Sequence, residues 1–112
     1  MAAKSAKLLW LQVLETRDPD GADEITIGAD GVVLDKVKMR KDDVLDFNGQ
    51  LISFKPGRSH VQVTFHETDE PNQSTQALGS VVINDTDPPG VELKQKVGQV
   101  HGALYELWYG VV

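Results

Sequence analysis

The amino-acid sequence predicts an all-β protein, an antiparallel β-sandwich of about 7–8 strands. Apolar and polar residues alternate in several segments; in "HVQVTFHET", Val61, Val63 and Phe65 fall on one face. No segment has apolar residues at i, i+3, i+4 and i+7 over three turns, and Gly and Pro interrupt every region. Short alternating segments without helices between them are typical of a sandwich.

Turn residues separate the predicted strands. Ala29-Asp30-Gly31 closes a hairpin, Pro56-Gly57 marks a second turn, and Pro88-Pro89-Gly90 forms a rigid loop. The expected strands lie near residues 7–16, 24–28, 31–37, 43–54, 60–66, 77–84, 91–97 and 103–111.

The segment 43–54 admits two interpretations. Asn48-Gly49 is a favourable type I′ turn pair, so the segment is either a hairpin or a single strand with a bulge. We expect a single continuous or bulged strand.

Composition restricts the functional classes. The chain of 112 residues predicts one domain over 1–112, with residues 1–6 as an N-terminal tail. A net charge of −6 argues against nucleic-acid binding, and against anionic lipid unless a cation bridges the two. The absence of cysteine excludes disulfides and thiolate chemistry. No signal peptide or membrane span is expected, so the predicted location is the cytoplasm, as synthesised, or a virion.

Pairs of carboxylates follow three predicted strands: Asp18/Asp20, Glu67/Asp69 and Asp85/Asp87. The two side chains of a pair lie on the same side of an extended chain, so their oxygens can converge on one cation. A calcium ion needs six to eight oxygens, which two loops at the same end of a sandwich can supply. If segment 43–54 is one strand, the loops at 17–24 and 67–76 share an end, and Asp85/Asp87 lies at the other.

One of these loops resembles a known family. "VTFHETDEPNQSTQALGS" is similar to the third calcium loop of C-two domains, the calcium- and phospholipid-binding β-sandwiches. Glu67 and Asp69 match the first acidic pair of that loop, and Leu78-Gly79 matches the start of its next strand. Short bacterial and phage β-sandwiches of unassigned role are similar as well.

The resemblance implies a C-two-like fold and a calcium ion between two loops. Its ligands would come from five carboxylates: Asp18, Asp20, Asp23, Glu67 and Asp69. Two positions depart from the family pattern, because Glu67 replaces an Asp and Gln76 stands where another Asp is expected. The alternative is a solvated acidic rim, since Asp commonly initiates turns after strands.

No catalytic arrangement is evident. His60, His66 and His101 lack ligand spacing, and no serine lies in a nucleophile-elbow pattern. We therefore expect the protein not to be an enzyme.

The terminal strands are apolar on both faces. Strict alternation in "LLWLQVLE" places Leu8 and Trp10 on one side, and Trp108 lies on the corresponding side of the last strand. A two-layer sandwich needs only one apolar face per strand, so these residues predict a partner contact formed by Leu8, Trp10 and Trp108. The alternative is that each tryptophan fills the core.

These features favour a non-catalytic structural or accessory protein that acts through protein–protein contacts, such as a phage-type capsid decoration or cement protein. Its expected partners are other protein subunits, a homo-oligomer included. The second hypothesis is a calcium-dependent lipid- or glycan-binding module. Only this hypothesis includes a membrane surface among the expected partners.

Overall fold

Alternating segments and glycine-containing turns fold as eight β-strands. The computed structural model describes residues 5–16, 22–69, 74–98 and 102–112, of which 68–69 and 74–76 are described in their backbone. It contains no helix in that part of the chain, so the all-β prediction is confirmed. The strands are β1 (Ser5–Glu15), β2 (Asp23–Ala29), β3 (Val32–Met39), β4 (Val44–Ser53), β5 (His60–Asp69), β6 (Ser74–Asn84), β7 (Leu93–Gly98) and β8 (Leu104–Val111).

The strands form two four-stranded antiparallel sheets. The front sheet has the order β4-β1-β8-β7 and the back sheet the order β3-β2-β5-β6. Their inner faces pack a common apolar core, in which Phe65 and Leu107 are fully buried. Burying one such side chain contributes about 1.5–3 kcal/mol. The shared core therefore holds the two sheets together, and their outer faces do not contribute to it.

Asn48 and Gly49 form a bulge inside β4 and not a turn between two strands. Both residues have left-handed backbones, with φ of 55° and 71°. Across them, the pairing of β1 with β4 steps from Leu8↔Gln50 to Trp10↔Asp46, so β4 advances further than β1. Asn and Gly tolerate this conformation, which is why the pair fits a bulge as well as a hairpin. The prediction of one bulged strand is confirmed.

A second irregularity, in β1, corrects the prediction for Leu8. The ladders of β1 with both neighbours shift register between Leu8 and Trp10. Leu8 and Leu11 both point into the core and are 0% exposed, whereas Trp10 faces outward. The extra residue in β1 reverses which positions face the core, so strict alternation wrongly grouped Leu8 with Trp10. Leu8 is a core residue, so the expectation that it lies on the outward face beside Trp10 is wrong.

The prediction of an N-terminal tail over residues 1–6 is wrong for Ser5 and Ala6, because both belong to β1. The Ser5 amide donates to the Val112 carbonyl at 3.1 Å, and the Val112 amide donates to the Ser5 carbonyl at 3.0 Å. Backbone pairing with the other end of the chain thus orders Ser5 and Ala6. Residues 1–4 lie outside the described residues.

Candidate functional site

The outer faces of the two sheets differ in character. The back sheet presents mostly polar side chains outward, among them Lys36, Gln62 and His66, together with the exposed Val82. The front sheet presents Trp10 and Trp108 outward, each partly buried and next to core residues that point inward. Aromatic side chains of this size on a surface are favoured anchors for protein contacts. The outer face of the front sheet is therefore the candidate functional site.

The two tryptophans belong to one cross-strand row, here called the tryptophan row. In this row Lys94 of β7 pairs with Trp108 of β8, Trp108 pairs with Trp10 of β1, and Trp10 pairs with Asp46 of β4. All four strands of the front sheet thus contribute one residue each. The prediction that Trp10 and Trp108 share an outward surface is confirmed.

Ring contacts hold the tryptophan row in place. The indole rings of Trp10 and Trp108 stack with centroids 5.1 Å apart and planes inclined by 24°. Lys94 Nζ lies 4.9 Å from the Trp108 ring centroid. An aromatic pair of this kind is worth about 0.5–1.5 kcal/mol, and an exposed cation–π contact about 0.5–1 kcal/mol. Both tryptophans are only partly exposed because each ring covers the other.

A second row lies next to the first and is here called the glutamate row. It consists of Lys96, Glu106, Gln12 and Val44, taken in the order β7, β8, β1, β4. Glu106 is only 9% exposed and lies between Lys96 and Gln12. Val44, at the end of the row, is 57% exposed. This part of the outer face thus combines a nearly buried carboxylate with an exposed apolar side chain.

Trp108 carries an unsatisfied polar group. Its Nε1 is buried and has no hydrogen-bond partner in the described part of the chain. A buried donor left without an acceptor costs about 1–3 kcal/mol. The tryptophan row therefore contains a buried hydrogen-bond donor that one chain leaves unpaired within its described residues.

Two of the predicted calcium ligands, Asp23 and Glu67, lie at one end of the sandwich, away from this face. Ile25 of β2 pairs with Glu67 of β5, and Asp23 lies two residues before Ile25 on the same inward side. Asp23 is 0% exposed and Glu67 is 4% exposed. The structure thus brings these two carboxylates to the same end of the core, as expected from a continuous β4.

Tyr105 of β8 contacts Asp23 of this carboxylate pair from the opposite sheet. Its hydroxyl donates a short hydrogen bond to Asp23 Oδ2. Burial of the hydroxyl, the hydrogen bond to Asp23 and the negative charges of Asp23 and Glu67 raise the pKa of Tyr105 well above its ordinary value. The contact joins residues 82 positions apart and fastens the front sheet to the back sheet.

The other predicted ligands do not complete a site in the described residues. Asp18 and Asp20 lie outside the described residues, as does the side chain of Asp69. Within the described part, no three or more of His, Asp and Glu are grouped to hold a metal ion. Asp87 caps the turn after β6, at the opposite end, where its Oδ2 accepts the Asn84 amide at 3.0 Å.

Several residues of the candidate site were absent from the sequence prediction. Alternation in "LYELWYG" groups Glu106 with Trp108, and alternation in "LKQKV" groups Lys94 with Lys96. Those local signals were available. The pairing of Lys94, Trp108, Trp10 and Asp46 depends on which strands are neighbours, and Tyr105 depends on how the two sheets pack.

No protein-family model matches this chain, and no solved structure matches it. In the described residues no helix is long and apolar enough to cross a membrane. The chain is thus characterised by its own geometry: a two-sheet antiparallel β-sandwich with a tryptophan-bearing outer face.

Proposed function

We propose that this protein is a non-catalytic structural or accessory subunit that acts through protein–protein contacts in a larger assembly. A phage-type capsid decoration or cement protein is the concrete form of this proposal. The observation that carries it is the stacked Trp10–Trp108 pair on the outer face of a sheet whose inner face already closes the core.

The composition of the two outer faces supports this choice. A monomer gains nothing in core packing from tryptophans on the solvent side, and the back sheet has mostly polar side chains at such positions. Trp10 and Trp108 offer large, rigid surfaces, and desolvated aromatic anchors typically supply about 2 kcal/mol or more of binding energy each. Contact through the front sheet uses a surface that the fold leaves unpacked.

The test compares particle association of the wild-type chain and of Trp10→Ala in extracts of the native source. Gel filtration at native expression level is expected to place the wild type in a high-mass fraction and to shift Trp10→Ala toward the 12.3 kDa monomer. His66→Ala, on the outer face of the back sheet, is the matched control and should elute with the wild type. Circular dichroism of each variant verifies that it is folded.

Two results would contradict the proposal. One is a folded Trp10→Ala chain that elutes with the wild type in the high-mass fraction. The other is a Trp10→Ala chain that does not fold as a monomer, which would make the tryptophan pair a stability element.

A second candidate function, a calcium-dependent binding module of C-two-like type for lipid or glycan, is favoured by a separate observation. Asp23 and Glu67 are buried together at the end of the sandwich to which residues 17–21 and 70–73 connect. Additional carboxylates from those segments, with Asp69, would supply further oxygens of the kind that calcium prefers. On this hypothesis the partner is a membrane surface or a glycan.

Thermal melting in calcium and in chelator tests the second candidate. A calcium module should melt at higher temperature with calcium, because an ion that binds only the folded state stabilises it. Asp69→Asn should abolish that increase, whereas Asp85→Asn, at the other end of the sandwich, should retain it. A wild-type melting temperature that does not respond to calcium would exclude this function.

A further inference from the structure

We propose that the partner on the outer face of the front sheet is a second copy of this chain. The two copies are related by a two-fold axis that runs parallel to the strands, between β1 and β8. This inference rests on the proposed contact function of that face and adds the identity and orientation of the partner.

The order of charges in the tryptophan row carries the inference. Across the sheet the row reads Lys94, Trp108, Trp10, Asp46: a cation, two aromatic rings and an anion. A two-fold axis parallel to the strands turns a second copy face down and reverses this order. Each Lys94 then faces the partner's Asp46, and each Trp108 faces the partner's Trp10. In an isologous interface, residue i contacts j and j contacts i, and this row is complementary to its own reverse.

An axis across the strands lacks this complementarity. When such an axis lies in the interface plane and passes through the tryptophan row, it keeps the order of the row and places Lys94 against the partner's Lys94. Like charges placed together in an interface disfavour that arrangement. The charge order of the row therefore selects the axis parallel to the strands.

The glutamate row agrees with the same axis. Reversal of Lys96, Glu106, Gln12 and Val44 places each Glu106 opposite the partner's Gln12. A glutamine amide can donate to a carboxylate, so Glu106, which is only 9% exposed in one chain, gains a hydrogen bond from the partner's Gln12. The same reversal covers the exposed Val44 with the aliphatic stem of the partner's Lys96.

The packing mode is an ordinary one for β-proteins. Two sheets that pack face to face keep their strand directions within about 30° of each other. An axis parallel to the strands produces that aligned arrangement, with the two front sheets in the middle of a four-layer dimer.

The test is a charge swap measured by sedimentation equilibrium on the purified full-length chain. The wild type is expected to form a dimer whose dissociation constant rises with salt concentration, because its charge pairs are screened. Lys94→Glu and Asp46→Lys should each weaken self-association at least about 10-fold, since each places like charges opposite one another. Lys36→Glu, an exposed charge reversal on the back sheet, should leave the dimer unchanged.

Mixing the two variants is the decisive step. In a heterodimer of Lys94→Glu with Asp46→Lys, both contacts again join opposite charges, so the mixture should dimerise more tightly than either variant alone. Asp46 Oδ1 accepts the Asn48 amide at 2.7 Å within the bulge, so Asp46→Lys can disturb the fold. Asp46→Asn keeps an oxygen acceptor there and should by itself weaken the dimer.

Three results would overturn the inference: a monomeric wild type at high concentration, a Lys94→Glu variant that dimerises like the wild type, or a folded mixture that stays monomeric. These outcomes are separable from failure of the proposed function. A monomeric purified chain that still enters a high-mass fraction in native extract through Trp10 refutes only the self-association. A dimer that never joins a larger particle refutes only the assembly role.

Discussion

Replacing Tyr105 by phenylalanine tests the contact that joins the two sheets at the acidic end. The substitution removes a single hydroxyl from a side chain that is 0% exposed and leaves the ring in place. At neutral pH, buried Asp23 loses the hydrogen bond that Tyr105 donates. Loss of a buried partner from a charged group costs about 1–3 kcal/mol, and we expect that decrease in the free energy of unfolding.

The same variant should change how stability depends on pH. Folding raises the pKa of Tyr105 above the ordinary value of 10.0 that the unfolded chain retains. Its stabilising contribution is therefore fully present below pH 10 and is lost as pH rises above 10, where the unfolded chain gives up the proton and the folded chain keeps it. With one proton involved, the loss is about 1.4 kcal/mol at pH 11.

Urea unfolding of both proteins at pH 7, 9, 10 and 11, followed by circular dichroism, measures this effect. Groups other than Tyr105 titrate in both proteins and cancel in the difference between their free energies of unfolding. That difference should stay constant up to pH 9 and shrink by about 1.4 kcal/mol at pH 11. A difference that is the same at pH 7 and pH 11 would refute the reasoning, because Tyr105 would then ionise equally in both states.

Two further predictions concern stability, both measured by urea unfolding at neutral pH. Leu8→Ala should lower the free energy of unfolding by about 2–5 kcal/mol, because it opens a cavity in the core. Leu51→Ala, at a site 59% exposed, should change it by no more than about 0.5 kcal/mol. Equal effects of the two substitutions would contradict the burial of Leu8. Gly98→Ala should cost about 2–4 kcal/mol, because Gly98 has φ of +111° and a Cβ there would lie 2.5 Å from the Ala103 carbonyl oxygen. Gly102→Ala has φ of +88° but no atom within 4 Å of the added Cβ, so it should cost only about 1 kcal/mol, and a larger loss than at Gly98 would contradict the steric argument.

The all-β class and the number of strands could be predicted from the sequence alone. Period-two alternation is a local property, and His60–Asp69 shows it without interruption in the described side chains up to Glu67. The Asn48-Gly49 pair was ambiguous for a physical reason: both a hairpin turn and a bulge need left-handed backbone at these residues. Only pairing of the whole of β4 with β1 distinguishes the two.

The face on which each side chain lies was decided by tertiary structure wherever a strand is irregular. The register shift between Leu8 and Trp10 reverses the alternation of β1, and the residues Leu8, Leu9 and Trp10 carry no local signal of it. The shift occurs in the ladders with both neighbours, so it depends on β4 and β8 as much as on β1. For that reason the sequence correctly paired Trp10 with Trp108 but wrongly added Leu8.

Residue types, charges and alternation belong to the sequence itself, and they determined the sandwich, its acidic loops and the presence of surface tryptophans. The neighbours of each strand were decided only by the tertiary structure. Lys94, Trp108, Trp10 and Asp46 form a row because β7, β8, β1 and β4 lie side by side, in an order that is not the order of the chain. Tyr105 reaches Asp23 across 82 residues because two sheets pack on one core. Such contacts depend on long-range packing free energy, which no short stretch of sequence contains.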